Sequence, residues 1–290
     1  MSILYVVATP IGNLNDTSKR MIEVLSSCDL ILAEDTRHTV KLTNHFNIKT
    51  KLMSYHKFNE KERSIQIIER MKAEDLNVAV VSDAGTPGIS DPGYEIVKSA
   101  HDNGIRVIGI PGGSAVITAI SISGMDASSF VFKGFFPREA KEKEQLVSDM
   151  KNSKERIYVF YESPKRIIKF SEYMAERFPE ANACFCSDLT KLHEKTITGN
   201  INEIYLSLKD DPESELGEYT VVIDITKCIT GKEEETVEVY SIEAVLTDVM
   251  IKNKCTLKDA VNITNTNFPD ISKKEVYQAS LNLKQLFQPD

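Results

Sequence analysis

A chain of 290 residues, 41% of them apolar and with a net charge of −8, is long enough for two domains and too acidic for a general nucleic-acid binder. Its five cysteines are irregularly spaced, which excludes a disulfide framework, and with no second pair beside Cys184 and Cys186 no metal site is expected. No apolar run approaches the ~20 residues of a membrane span. The opening MSILYVVATP lacks a basic stretch and reads as a strand, so a cytosolic location is expected.

Taken in order, Leu4 to Thr9 is an apolar run ending in the tight loop Pro10-Ile11-Gly12-Asn13-Leu14. A helix is predicted from about Ser18 to Ser26, then a buried run from Leu30 to Ala33. Glu34-Asp35-Thr36-Arg37-His38 stands at the end of that run, where charged groups are either solvated or functional. Asn59 with Glu62 has the form of a capping box, with Ile65, Ile68 and Met71 as the helical stripe behind it.

The stretch from Val78 to Tyr94, VAVVSDAGTPGISDPGY, organises the first half. A four-residue apolar run breaks into a loop holding Gly85, Gly88, Gly93, Pro87, Pro92, Asp83 and Asp91. Such a loop leaves the carboxyl end of a strand, where open α/β sheets bind ligands, so it reads as a rigid cradle; an ordinary strand-to-helix loop is the alternative. The helix after it ends at Gly104, a C-cap. Arg106 to Ile110 is a further buried run, and Pro111-Gly112-Gly113-Ser114-Ala115 opens a helix whose free N–H groups suit an anion. Four strand–loop–helix units in about 125 residues predict a parallel α/β sheet with helices on both faces.

No GxxxxGK[ST], GxGxxG after the first strand, GxSxG or HExxH is present, so the cradle belongs to none of those nucleotide-binding or hydrolytic classes. Gly124 to Ser129 reads as a hinge. Strands are predicted at Phe130–Phe136, Glu155–Glu162, Cys184–Leu189 and Glu218–Ile225, with Ser163-Pro164 as a helix start. Residues 133–169 hold ten basic and six acidic residues, net +4, which leaves −12 for the rest. That window is either a basic face for RNA phosphates, with Arg138, Lys165 and Arg166 as contacts, or a solvated mixed-charge helix. Thr190-Lys191-Leu192-His193-Glu194 is the densest chemical cluster of the second half. Residues 230–238 are polar enough for a linker. Three short helices follow, with Thr256 as one N-cap and Ser272 with Glu275 as a capping box. Lys252, Lys254, Lys273 and Lys274 give that tail a possible nucleic-acid contact, and a structural or dimer-stabilising role is the alternative.

ATPIGNL, AEDTRHT, SDAGTPGISDPG, PGGSA, YESPKR and LTKLHE, in this order, resemble the bacterial small-subunit ribosomal RNA cytidine-2′-O-methyltransferases, a branch of the tetrapyrrole methylase superfamily (class III S-adenosylmethionine methyltransferases). The resemblance covers residues 2–228 strongly and the tail more weakly. It implies two α/β domains of the tetrapyrrole methylase type with S-adenosylmethionine in the cleft between them, plus a small helical C-terminal module. The expected division is 1–124, 125–228, a linker at 229–240 and a tail at 241–290.

Carried across motif by motif, the resemblance implies cofactor contacts at Pro10, Ile11 and Gly12, at Asp83, Gly85, Thr86 and Pro87, at Ser114 and Ala115, and at Tyr161 and Leu189. It implies 16S ribosomal RNA in the small subunit as substrate, a homodimer, and neither a metal nor a membrane. By residue type, Asp35 and Glu194 are candidates for a general base, and Arg37 and Lys191 for holding a phosphate or a developing alkoxide. The sequence departs from the family pattern at Asn15, where glycine is usual, and at Gly113, where proline is usual. Ser187 stands for an arginine, and Lys195 for an acid. A tetrapyrrole or other small molecule as acceptor, and a non-catalytic RNA-binding protein, are the competing readings; EDTRHT and SDAGTP argue against the first.

Overall fold

The computed structural model describes residues 2–229, 241–267 and 271–287. Short apolar runs bounded by turn residues form the strands of its first half. These are β1 Ile3–Val7, β2 Leu30–Ala33, β3 Leu52–Ser54, β4 Val78–Val81 and β5 Arg106–Ile110, alternating with α1 Lys19–Ser27, α2 Thr36–His45, α3 Glu60–Glu74, α4 Tyr94–Asp102 and α5 Ala115–Ile122. The sheet is parallel throughout, in the order β3-β2-β4-β1-β5. The two-residue repeat of a strand sends Leu30 and Leu32 to one face, against α3 and α4 (Ile67, Met71, Ile96). Ile31 and Ala33 point to the other face, against Met21 and Leu25 of α1.

This order places β4, β1 and β5 side by side, although they are far apart in sequence. Their loops therefore leave from neighbouring carboxyl ends. The loops after β1 and β4 are joined directly: Thr9 N–H donates to Gly85 O at 2.8 Å and Gly85 N–H to Thr9 O at 3.1 Å. Gly113 packs beside them, where an added Cβ would sit 3.2 Å from Thr9 O. Close packing thus confines this loop, which the sequence alone suggests is loosened by the missing proline ring.

The second half comprises β6 Val131–Phe135, α6 Ala140–Asn152, β7 Ile157–Glu162, α7 Pro164–Arg177, β8 Asn182–Ser187, β9 Lys195–Asn200, α8 Ile201–Asp210, β10 Tyr219–Asp224 and the short α9 Thr226–Ile229. Its sheet runs β6-β7-β10-β8-β9, parallel between β6 and β7 and antiparallel elsewhere. One face carries an aromatic core in which Phe160, Phe170 and Phe185 meet at ring separations of 5.6 and 6.0 Å. The other face is covered by α5, which follows the first sheet in the chain. Val116 and Ala119 of α5 pack with Val159, Cys184, Cys186 and Val222 of the second sheet.

The chain divides into two compact units, 1–228 and 229–290. The second, described by itself, has α10 Ile242–Asn253, α11 Leu257–Asn267 and α12 Lys273–Phe287 around Leu246, Val249, Val276 and Leu283. Both expected N-terminal signals form: Asp259 N–H donates to Thr256 Oγ1, and Glu275 N–H to Ser272 Oγ. Lys252 pairs within its own helix with Asp248 at 2.8 Å. The expected linker at residues 230–238 lies outside the described residues.

Three sequence expectations are corrected. The capping box at Asn59 does not form: Asn59 Oδ1 turns back to accept from His56 N–H at 2.9 Å and makes no side-chain cap for α3. The first sheet has a fifth strand, β3, which at three residues is too short to give a sequence signal, and α2 gives no apolar helical stripe because it is mostly polar. Arg166, expected to face RNA, is turned inward. Its guanidinium donates to Phe136 O and lies 2.9 Å from the buried Glu162 carboxylate, which locks the β6–α6 loop to the first turn of α7.

Ala119 is fully buried in the core that α5 shares with the second sheet. Ala119→Leu is expected to overpack this contact and to destabilise by about 1–3 kcal/mol, read as a lower urea midpoint.

Candidate active site

Two adjoining cavities open at the carboxyl ends of β1, β4 and β5, and both halves of the first unit wall them. The first, of about 380 Å³, is lined by Ile11, Gly85, Thr86, Ser114 and Ala115 from the first half and by Tyr161 and Leu189 from the second. The second, of about 370 Å³, is lined by Pro10, Ile11, Gly12, Asp83 and Lys191 among others. Ile11, Ala84 and Glu218 border both. Pro87 instead lines a third hollow, against α4. Asp35, Arg37 and Glu194 are outside the linings of all three.

Backbone geometry explains how the halves approach. At Gly12 a Cβ would fall 2.6 Å from Lys191 Cγ and 3.0 Å from Leu189 O, so only glycine lets these loops close. Asn13 N–H then donates to Thr190 Oγ1 at 3.0 Å. Thr190 has φ +67 and Asp188 has φ +51, an uncommon conformation for either residue and a costly one for a β-branched side chain. The strain sits on both sides of the main chain that leads to Lys191. Lys191 Nζ is held at 2.9 Å from Asp188 and 2.8 Å from Glu218. Burial opposes its charge, but these two hydrogen bonds outweigh it and raise its pKa above the ordinary value.

The first cavity has an aromatic wall of which the motifs announced Tyr161 but not Phe135. A bulge in β6 at Gly134, φ +67, turns Phe135 into the cavity, where its ring lies 5.8 Å from that of Tyr161. Tyr161 is pushed up to about 12 by burial and by the nearby Asp91. Ser114 caps α5 by accepting from Ile117 N–H, so the helix start faces the same space.

Acidic groups cluster beside it. Asp83 Oδ1 accepts from Asp35 N–H at 3.1 Å. Burial raises the Glu34 carboxyl, and the charges of Asp83 and Asp35 add to the effect. Asp91 lines the first cavity and is raised to about 7, by burial first and then by Glu34 and Asp83. Asp91 belongs to the quoted SDPG segment; its distinction from the neighbouring acids comes from its burial, which the sequence does not reveal.

The Asp35 carboxylate accepts from Arg37 N–H at 2.8 Å as the N-cap of α2 and is gripped by the Arg37 guanidinium at 2.6 Å. Those hydrogen bonds hold it down to about 2. Glu194 accepts from Thr190 N–H and closes its own loop. His38, one residue beyond Arg37, lines the second cavity with Lys41. Among the described residues no group of three or more His, Cys, Asp or Glu is placed to hold a metal ion, and no helix is long and apolar enough to cross a membrane.

Comparison with known proteins bears on this arrangement. A family model for tetrapyrrole (corrin/porphyrin) methylases matches residues 3–205. The chain is 46% identical over 200 residues, 69% of its length and 68% of the relative's, to the "ribosomal RNA small subunit methyltransferase I" of Halalkalibacterium halodurans. It is 38% identical over 279 residues, 96% of its length and 94% of the relative's, to the protein of the same name from Bacillus subtilis. Among solved structures it is similar to a diphthine synthase (TM-score 0.59, 13% identity, 77% of this chain and 90% of that one). It is also similar to uroporphyrin-III C-methyltransferase from Thermus thermophilus complexed with S-adenyl homocysteine (TM-score 0.53, 13% identity, 77% and 97%). At that identity the structural likeness speaks for the fold alone.

Asp91 supplies a pH test. Its folded value of about 7 lies above its ordinary 3.8, so its contribution to stability is full below about 4 and is lost as pH rises through about 7. Between pH 5 and pH 8 the Tm of the wild type is expected to fall about 2–4 °C further than that of Asp91→Asn, as a screened effect of about 1 kcal/mol gives for this size. Differential scanning calorimetry at the two pH values reads this difference.

Proposed function

The chain belongs to the tetrapyrrole (corrin/porphyrin) methylase family, and within it we propose a methyltransferase that carries a methyl group from S-adenosylmethionine to the RNA of the small ribosomal subunit. The finer reading is 2′-O-methylation of a cytidine ribose in the decoding region of 16S ribosomal RNA, by resemblance of the EDTRHT and SDAGTP motifs. One observation carries the proposal: a cavity of ligand size, built at strand ends from both halves, shares the wall at Ile11, Ala84 and Glu218 with a second cavity whose lining includes His38, Lys41, Asp83 and Lys191.

The residues of the first cavity fit the cofactor. Its volume of about 380 Å³ lies in the ordinary range for small-molecule sites. Gly85, at φ +79, presents bare backbone to the cavity. Phe135 and Tyr161 offer aromatic edges to an adenine, and the start of α5 offers N–H groups to a carboxylate. When bound, S-adenosylmethionine supplies a methyl group already activated by its sulfonium. The work left to the protein is alignment and exclusion of water. The Gly12–Leu189 approach closes the loops around the site, and Asp83 and Asp91 place carboxyl groups where a cation is welcome.

In this reading Lys191, in the wall of the polar cavity, holds a phosphate of the acceptor or offsets negative charge on its oxygen. The exposed Arg37 serves the flanking RNA. Asp35 and Glu194 shape their loops, since the carboxylate of each is already engaged locally. The halves that close on the cofactor are taken as 1–124 and 125–228. Residues 241–290 form the tail, the working form is a homodimer, and the location is the cytosol where ribosomes are assembled. Support for these last points is the resemblance of the sequence.

The deciding experiment transfers labelled methyl from S-adenosylmethionine to small subunits lacking 2′-O-methyl marks, with a porphyrin precursor in parallel. Label on a cytidine ribose, mapped by mass spectrometry, is expected; label on the precursor alone would replace the substrate. Lys191→Ala is expected to lower kcat by about 10²-fold, as removal of one charge-stabilising donor does, with S-adenosylmethionine affinity little changed by calorimetry.

A further inference from the structure

We propose that His38 is the general base of the transfer, oriented by Asp83, and that the polar cavity it lines receives the acceptor ribose. This rests on the methyltransferase reading above and deepens it.

The geometry begins with α2. Asp35 caps that helix, which sets the register so that His38 and Lys41, three residues apart, lie on one helical face and line the cavity. His38 Nδ1 lies 3.8 Å from Asp83 Oδ1, with the imidazole side chain 54% exposed. Asp83 is fixed in turn, because Oδ1 accepts from Asp35 N–H. In the proposal the carboxylate facing Nδ1 keeps the proton on that nitrogen, which leaves the Nε2 lone pair to act as the base. The order is acceptor, base and orienting carboxylate, the arrangement that activates a weak hydroxyl nucleophile elsewhere. The 3.8 Å separation is long for a hydrogen bond, as expected where substrate tightens such contacts.

The surroundings select this residue over the other candidates. Asp35 and Glu194 are engaged locally and line neither cavity. Asp91 lines the cofactor cavity rather than the polar one. The charged groups that share the polar cavity with His38 are Lys41 on its own helix, Asp83 from the loop after β4, and Lys191 and Glu218 from the second half. Asp35 and Arg37 precede it in the chain. Two lysines suit the phosphates on either side of a ribose. The common wall at Ile11 and Ala84 puts this space next to the cofactor cavity.

The step balances without a further reactant. His38 Nε2 takes the proton of the 2′-hydroxyl as an oxygen lone pair forms the O–CH₃ bond. The S–CH₃ bond breaks, its electron pair stays on sulfur, and the positive charge passes from the sulfonium to the imidazolium. The imidazolium then returns its proton to solvent.

The test compares wild type, His38→Gln, His38→Ala and Asp83→Asn on undermethylated small subunits, with cofactor affinity measured by calorimetry. His38→Gln is expected to lose about 10²–10⁴ in kcat, to keep S-adenosylmethionine affinity within about threefold, and to lack the acid limb of the wild-type pH–rate profile. Added imidazole is expected to restore part of the rate in His38→Ala. Asp83→Asn, a change in the positioning residue, is expected to lower kcat far more than it changes KM for the ribosomal subunit. A His38→Gln enzyme with near-normal kcat overturns the inference, as does a lost rate that neither shows the altered pH profile nor responds to imidazole. Failure of the wild type to label RNA overturns the underlying reading instead, so the two failures are distinguishable.

Discussion

Helix α5 is the element on which the site depends. It follows β5 of the first sheet yet covers a face of the second, with Val116 and Ala119 packed against Val159, Cys184, Cys186 and Val222. Burial of a valine side chain contributes about 1.5–3 kcal/mol, and here that gain holds one half of the unit against the other. The start of the helix, at Ser114 and Ala115, is therefore placed at the boundary of the two sheets and in the wall of the first cavity. The apolar sequence AVITAISI suits this position, since the helix meets protein on more than one side.

Around that helix the site is made largely of main chain. The paired Thr9 and Gly85 tie two loops together, Gly113 packs against Thr9 O, and Gly12 passes beneath Lys191. Side chains at these points would hold the loops apart. The strain found at Asp188 and Thr190 is compatible with the same purpose: Thr190 Oγ1 accepts from Asn13 N–H, and Lys191, the next residue, reaches Asp188 and Glu218. The local conformational cost is offset by contacts that only the closed arrangement makes.

Charge is distributed unevenly over the two cavities. Glu34 is raised by burial and by the charges of Asp83 and Asp35, and Asp91 by burial and by the charges of Glu34 and Asp83, whereas Asp35 is held low by Arg37. Glu34, Asp35 and Asp91 thus differ in protonation behaviour because their neighbours differ. In the proposed reading a cationic cofactor relieves the crowded acids, and the lysines of the polar cavity face the phosphates of the acceptor.

Much of the fold was legible from local signals. The runs at Leu30–Ala33 and Val78–Val81 coincide with strands because buried parallel strands are continuously apolar and their ends carry turn residues. Arg106–Ile110, expected to be buried, is also a strand but lies at the sheet edge with only Ile110 buried. Ser18, Ser114, Thr256 and Ser272 act as caps because capping is decided within three residues. The ordered motifs identified the family for the same reason: each is a short loop with its own chemistry. What tertiary structure alone decided lies at long range. It turned Asn59 toward His56, Arg166 toward Glu162 and Phe136, and Phe135 into the cavity. It also spent Asp35 on a helix cap while leaving His38 to face Asp83. Residue type and spacing determine what a side chain is able to do. Which partner it meets depends on contacts between strand ends that only the assembled sheets bring together.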